Sequence, residues 1–216
     1  MKEILRVYAG SISYGTNDEN SDIDIRGVCI PSESVLLGLE NFEQKVYSEE
    51  DTVIFSLKKF VNLALQNNPN ILELLWVNPE HIIYTDYWGR DLLAIRDLVL
   101  SKRVYKTYGG YAHSQLKKMY NNKNNSMKHA MHLIRLLKMG AEILRFGTVQ
   151  TYRPDRAELL KVKKGEYSME EINNWAKSLG EDLEEAFKET SLPDKPNYNQ
   201  INDWLVNMHK ESLALQ

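Results

Sequence analysis

Residues 9–27 read Ala-Gly-Ser-Ile-Ser-Tyr-Gly-Thr-Asn-Asp-Glu-Asn-Ser-Asp-Ile-Asp-Ile-Arg-Gly, and the rest of the chain can be read outward from them. Before this stretch, residues 4–9 are aliphatic and aromatic except for Arg6, which predicts a strand ending at the Gly10-Ser11 pair. Residues 11–21 are rich in Ser, Gly, Asn, Asp and Thr, the composition of a loop or turn. From Asp22 the chain alternates through Ile30, which predicts a second strand closed by Pro31. Because side chains alternate faces along a strand, Asp22, Asp24 and Arg26 are expected on one side and Ile23 and Ile25 on the other.

Further along, residues 51–55 read as a third strand, opened by Asp51. Leu57, Phe60, Val61, Ala64 and Leu65 recur at helical spacing over residues 56–66, and Asn67-Asn68-Pro69-Asn70 ends that helix. Residues 71–76 begin another helical or buried segment, and residues 87–100 are expected to form a further helix. Residues 102–120 and 127–146 form a long helix pair, with Gly147 as the C-cap of the second. Ser168 followed by Glu171 is a capping box that opens a helix towards Glu189, and residues 202–213 make a final helix after Pro193 and Pro196. The boundary near residue 100 has no linker-like composition. A core over residues 1–100 should therefore pack closely against a helical subdomain over residues 101–216.

Composition bounds the function. With 216 residues, 43% hydrophobic and 26% charged, the chain is long enough for a sizeable core and ordinary for a soluble globular protein. No run is apolar for long enough to cross a bilayer, and residues 1–7 lack a signal-peptide pattern, so no membrane partner is expected. Cys29 is the only cysteine, which excludes an internal disulfide and a cysteine zinc cluster and makes a cytoplasmic location the expectation. Net charge is −3, but unevenly spread. Residues 98–141 hold no acid and nine Lys or Arg, whereas acids dominate after Gly165. That asymmetry predicts a phosphate-facing surface, and Tyr105, Tyr108, Tyr111 and Tyr120 within it offer either stacking surfaces for nucleic acid or an ordinary solvated helix face.

Two carboxylates one residue apart on a strand can together hold divalent cations, which prefer hard oxygen ligands. A preceding Gly-Ser turn brings backbone N–H groups and a hydroxyl against phosphates, with Gly10 leaving room for the approach. Transfer of a nucleotidyl group needs this combination, because two cations bridge the attacking and leaving oxygens. The first motif resembles the signature of the polymerase-beta superfamily of nucleotidyltransferases. The segment Ser21-Asp22-Ile23-Asp24-Ile25-Arg26-Gly27, with Tyr14-Gly15 before it, is similar to the branch associated with RNA ligases. Softer matches follow at Lys58-Lys59, Asn68-Pro69-Asn70, Glu73-Leu74-Leu75, Lys128, His132 and Arg135.

The resemblance implies a mixed α+β fold: a small, mainly antiparallel sheet flanked by helices, then a helical subdomain, with nucleotide in the cleft between them. It implies two magnesium ions, with manganese as an alternative, held by Asp22, Asp24 and a third carboxylate. Asp51, or else Glu49 or Glu50 beside it, is expected to be that third acid and to assist deprotonation of the acceptor hydroxyl. Gly10 and Ser11 would contact triphosphate. Arg26 would either bind substrate phosphate or balance the acids. Tyr14 would stack on a base or pack against the loop.

Residues 127–146 are apolar nearly all round and should be largely buried. Lys128, His132 and Arg135 lie on one stripe of that helix, where a bound triphosphate or acids across an interface would supply the counter-charge. The expected reaction moves a nucleoside monophosphate from a nucleoside triphosphate such as ATP to an RNA end. A protein or small-molecule acceptor, as in adenylylating antitoxins, and a non-catalytic nucleotide-binding module are the alternatives.

Overall fold

In the computed structural model, which describes residues 1–19 and 21–215, five strands form one sheet in the order β3-β4-β2-β1-β5. These are β1 (Lys2–Tyr8), β2 (Ile25–Ile30), β3 (Gln44–Tyr47), β4 (Thr52–Ser56) and β5 (Ile82–Thr85). The pairs β1–β2, β1–β5 and β3–β4 are antiparallel, and only β2–β4 is parallel. The fold is thus the mixed α/β architecture with a mainly antiparallel sheet. Ten α-helices accompany it among the described residues: α1 (Gly10–Tyr14), α2 (Glu33–Leu37), α3 (Leu57–Leu65), α4 (Pro69–Leu75), α5 (Tyr87–Ala94), α6 (Arg103–Asn121), α7 (Ser126–Phe146), α8 (Arg156–Lys164), α9 (Met169–Glu189) and α10 (Tyr198–Ala214).

Local signals explain most of these boundaries. Ser56 caps α3 by accepting from the Lys59 N–H, and Asn68 caps α4 with Pro69 in its first turn. Ser168 and Glu171 form the reciprocal capping box of α9, and Gly147 ends α7 in the left-handed conformation. The helix expected over residues 87–100 divides at Ile95 into α5 and a 3-10 turn over Arg96–Val99.

Two expectations at the first motif need correction. Residues 10–14 are a short helix, not loop: the Ser13 hydroxyl donates to the Gly10 carbonyl at 2.8 Å, and Gly15 at φ 73° closes the turn. Asn20, within the expected loop, lies outside the described residues. The second strand starts at Ile25, not Asp22. The Ala9 N–H still donates to the Asp24 carbonyl at 2.8 Å, but the partner chain then turns into α1, so nothing remains to pair residues 22 and 23. Ile23, expected on the strand face opposite the aspartates, is 57% exposed.

One apolar cluster runs from Ile4 on β1 through Phe60, Leu72, Val104, Tyr108 and Ile143 to Met208 on α10. A smaller cluster of Met119, Ala130, Met131, Ile134, Leu159, Val162 and Ile172 joins α6 and α7 to α8 and α9. Helix α7 is the shared axis of both clusters. Its Leu and Ile side chains, with Met131 and Met139, are buried, each worth roughly 1.5–3 kcal/mol relative to exposure. Cys29 is buried in β2, and no helix among the described residues is long and apolar enough to cross a membrane.

Candidate active site

The start of β2 brings the first motif together. Tyr8 at the end of β1 pairs with Ile25, and Ile25 also pairs with Thr52 at the start of β4. The residues just beyond these pairs, Gly10, Asp24 and Asp51, therefore meet at one end of the sheet. Gly10 has φ +58°, and a Cβ there would lie 2.0 Å from Asp24 Oδ2. The glycine is required at this position because the Asp24 carboxylate packs against its bare Cα.

Arg26 binds the acids together. Its Nη2 lies 3.0 Å from Asp24 Oδ1 and 3.5 Å from Asp51 Oδ1. Its Nη1 donates to the carbonyls of Ile25 at 2.8 Å and Asp51 at 2.6 Å. Asp51 does not open a strand, as expected, but sits before β4 in a left-handed turn at φ 44°. Burial pushes the Asp24 carboxyl up from its ordinary value, with the neighbouring Asp51 charge adding to this and Arg26 opposing it.

Two clefts meet here, sharing Gly10, Tyr14 and Asp24. One, of about 420 Å³, is lined by Ser11, Asp22, Lys128, His132 and Lys163. The other, of about 280 Å³, is walled by Ser13, Arg26, Phe55, Asn70 and Glu73. Of the expected site residues, Gly10, Ser11, Asp22, Asp24, Lys128 and His132 thus gather around the larger cleft. Lys128 is exposed and has no ion pair among the described residues. Burial, with Arg135 and Lys128 nearby, lowers the His132 pKa to about 3, so its imidazole is neutral at physiological pH.

Arg135 is not part of either cleft lining. Its guanidinium is buried against the carboxylate of Glu73, with both side chains 4% exposed, and its Cζ lies 3.6 Å from the centre of the Tyr14 ring. The acid across the interface, not bound phosphate, supplies its counter-charge. Burial works against the Arg135 charge, but Glu73 and Tyr14 hold its pKa above the ordinary value. Tyr14 packs, donating its hydroxyl to Glu73 Oε2 at 2.5 Å, and burial raises its pKa. The buried group ties α1, which carries Gly10 and Ser11, to α4 and α7.

Two of the four tyrosines of the basic segment are likewise committed to the fold. Tyr105 stacks on Phe187 at 4.4 Å, and Tyr108 is buried. The Tyr111 hydroxyl accepts from Asn68, and the Tyr120 hydroxyl donates to Asn173. Tyr111 and Tyr120 nonetheless stay 36% and 55% exposed. Part of the segment's basic charge is also spent internally, through Lys138 with Asp155 and Glu158 and Lys102 with Asp194.

Sequence reasoning missed Lys163, which reaches the larger cleft from α8 and pairs with Asp18 at 2.6 Å. It also missed the segment behind α1. The Arg153 N–H donates to the Tyr14 carbonyl at 3.1 Å, and Tyr152 and Arg156 close on Gly15. Nothing in the local pattern of residues 151–163 signals these contacts.

As a cation site, Asp22 and Asp24 offer hard oxygen donors on the wall of one cleft and fit a divalent ion in donor type. The expected third acid is engaged differently. Asp51 faces Arg26, and among the described residues no group of three or more acids, histidines or cysteines is arranged to hold a metal.

Residues 1–207 match RlaP, the RNA repair pathway DNA polymerase beta family. The chain is 25% identical over 217 residues to an uncharacterized protein of Methanocaldococcus jannaschii, covering 90% of this chain and 88% of that protein. Over 97 residues it is 30% identical to an uncharacterized 38.9 kDa protein from the nrdC-mobD intergenic region of Enterobacteria phage T4, covering 40% of this chain and 29% of that protein. A solved nucleotidyltransferase-like protein from Exiguobacterium sibiricum 255-15 superposes with a TM-score of 0.34 at 12% identity, covering 87% of this chain and 68% of that one.

Proposed function

The chain belongs to the RNA repair pathway DNA polymerase beta family and is a nucleotidyltransferase of the polymerase-beta type; from that premise we propose that it transfers a nucleoside monophosphate from a nucleoside triphosphate to the hydroxyl of an RNA end. The acceptor oxygen attacks the α-phosphorus, the bond from that phosphorus to the bridging oxygen breaks, and pyrophosphate leaves. One observation carries the reading: two clefts share Gly10 and Asp24, and the larger sets Lys128 and Lys163 across from the paired aspartates Asp22 and Asp24.

The larger cleft suits the triphosphate. Ser11 and the Gly10 backbone would face its β- and γ-phosphates, and Lys128 offers a cation with no competing acid partner. Neutral His132 can offer a hydrogen bond without adding charge. Lys163 would reach phosphate by leaving Asp18. Asp22 and Asp24 would hold a divalent ion, as nucleotidyltransferases of this type generally use, with magnesium the proposed metal; when bound it neutralises phosphate charge. The smaller cleft suits the acceptor end, and Asp51, in contact with Arg26 on that cleft's wall, would receive the hydroxyl proton.

Labelled nucleoside triphosphates incubated with the protein, magnesium and single-stranded RNA should yield RNA extended by a nucleotide. Asp22→Ala and Asp24→Ala should each abolish it. Turnover that survives both substitutions removes the assigned site. Label appearing on a protein or small molecule, with RNA unmodified, selects the adenylylating alternative, and binding without turnover selects the nucleotide-binding module.

A further inference from the structure

Two-ion nucleotidyl transfer requires cations about 3.5–4 Å apart, sharing carboxylates between them. The second position of such a pair would fall between Asp24 and Asp51, where Arg26 already lies, 3.0 Å and 3.5 Å from one oxygen of each acid. This is no swinging surface side chain. Nη1 is fixed by two backbone carbonyls, at 2.8 Å and 2.6 Å, while Nη2 alone faces the acids. The platform beneath it is also fixed, since the Ile25 N–H donates to the Asp51 carbonyl at 3.1 Å and β2 pairs with β4 from that point onward. Asp22, in contrast, has no guanidinium partner; it lines the larger cleft with Asp24 and is exposed.

We infer that Arg26 is a resident cation of the site, standing where a second metal ion would stand, so that the chain binds one divalent ion on its Asp22–Asp24 side. A second divalent ion could share Asp24 and Asp51 only by displacing a guanidinium held by four polar contacts. At separations near 4 Å a divalent ion and a guanidinium repel, so the two compete for the same acids. Arg26 thereby takes a role distinct from phosphate binding: it charges the Asp51 side of the site permanently, whatever the metal concentration. The inference rests on the nucleotidyltransferase reading above.

The test counts manganese ions bound by the full chain in the presence of a non-hydrolysable triphosphate analogue, using electron paramagnetic resonance of free Mn²⁺. The wild type is expected to bind one ion per chain, and Arg26→Gln two. Two ions of similar affinity in the wild type would overturn the inference without needing any variant. A count of one in Arg26→Gln, with folding confirmed by its melting transition, would also overturn it. Failure of the wild type to transfer any nucleotide sinks the functional reading instead, and that result is independent of the ion count.

Discussion

Arg135→Met should destabilise the protein by about 3 kcal/mol. The guanidinium it removes is buried with Glu73, and both side chains are 4% exposed. Removing one partner of such a pair leaves an uncompensated charge in the core, which typically costs about 3–5 kcal/mol. The lower end applies here for two reasons. Arg135 Nε is already buried without a partner in the native protein, and the Tyr14 hydroxyl continues to solvate Glu73 after the change. For a chain of this size each kcal/mol corresponds to about 2–4 °C, so the melting temperature should fall by about 6–12 °C. The companion double variant Glu73→Gln with Arg135→Met has no stranded charge and should recover at least half of the loss. Urea titrations of both variants and of Glu73→Gln alone complete the cycle. A loss below about 1 kcal/mol for Arg135→Met, or a double variant as unstable as the two single losses added together, would refute the view that charge pairing at this position holds the site's scaffold.

Other consequences can be measured directly. Gly10→Ala forces a Cβ to 2.0 Å from Asp24 Oδ2 at a φ of +58°; it should lose turnover almost completely and about 1–3 kcal/mol of stability in thermal melts. Lys128→Ala should raise the KM for nucleotide about tenfold with an unchanged melting temperature, since the side chain is exposed and without an ion pair. Asp18→Asn releases Lys163 from its 2.6 Å partner and should lower that KM, whereas Lys163→Ala should raise it. The His132 pKa of about 3 sets a pH dependence of defined sign. The unfolded chain takes up this proton near pH 6.5 and the folded chain does not, so the stability contribution is complete above pH 6.5 and is lost as the pH falls towards 3. The slope has a ceiling of about 1.4 kcal/mol per pH unit, reduced by water in the cleft, and melting curves from pH 4 to 8 should flatten in His132→Phe.

The glycine, serine and aspartates of residues 10–24 were legible because close backbone approach and paired acids leave a spacing pattern in one short segment. The helix pair α6–α7 and the capping box at Ser168 were equally plain, since each is written in local periodicity or in a cap. Strand β3 left no trace: Gln44, Lys45 and Val46 are all exposed on a sheet edge, so neither alternation nor apolar character marks them. Helix α1 was hidden because a five-residue helix is set by hydrogen bonds at its ends, not by composition. The counter-charge of Arg135 could not be read from its stripe, which lacks local acids, because Glu73 lies 62 residues away on α4. Charges that are neutralised across the fold look unpaired in sequence.

The acids and the Gly-Ser turn are all present within the first 51 residues, yet they are braced from far downstream. Tyr14 needs Arg135, its carbonyl meets Arg153, and the wall opposite Ser11 comes from Lys128 and Lys163. During translation, a ribosome that has released every carboxylate of the motif still holds back the braces. Nascent chains stalled before α8 would therefore carry the reactive acids without a formed nucleotide seat. Only a chain translated past residue 163 would present the complete wall of the larger cleft.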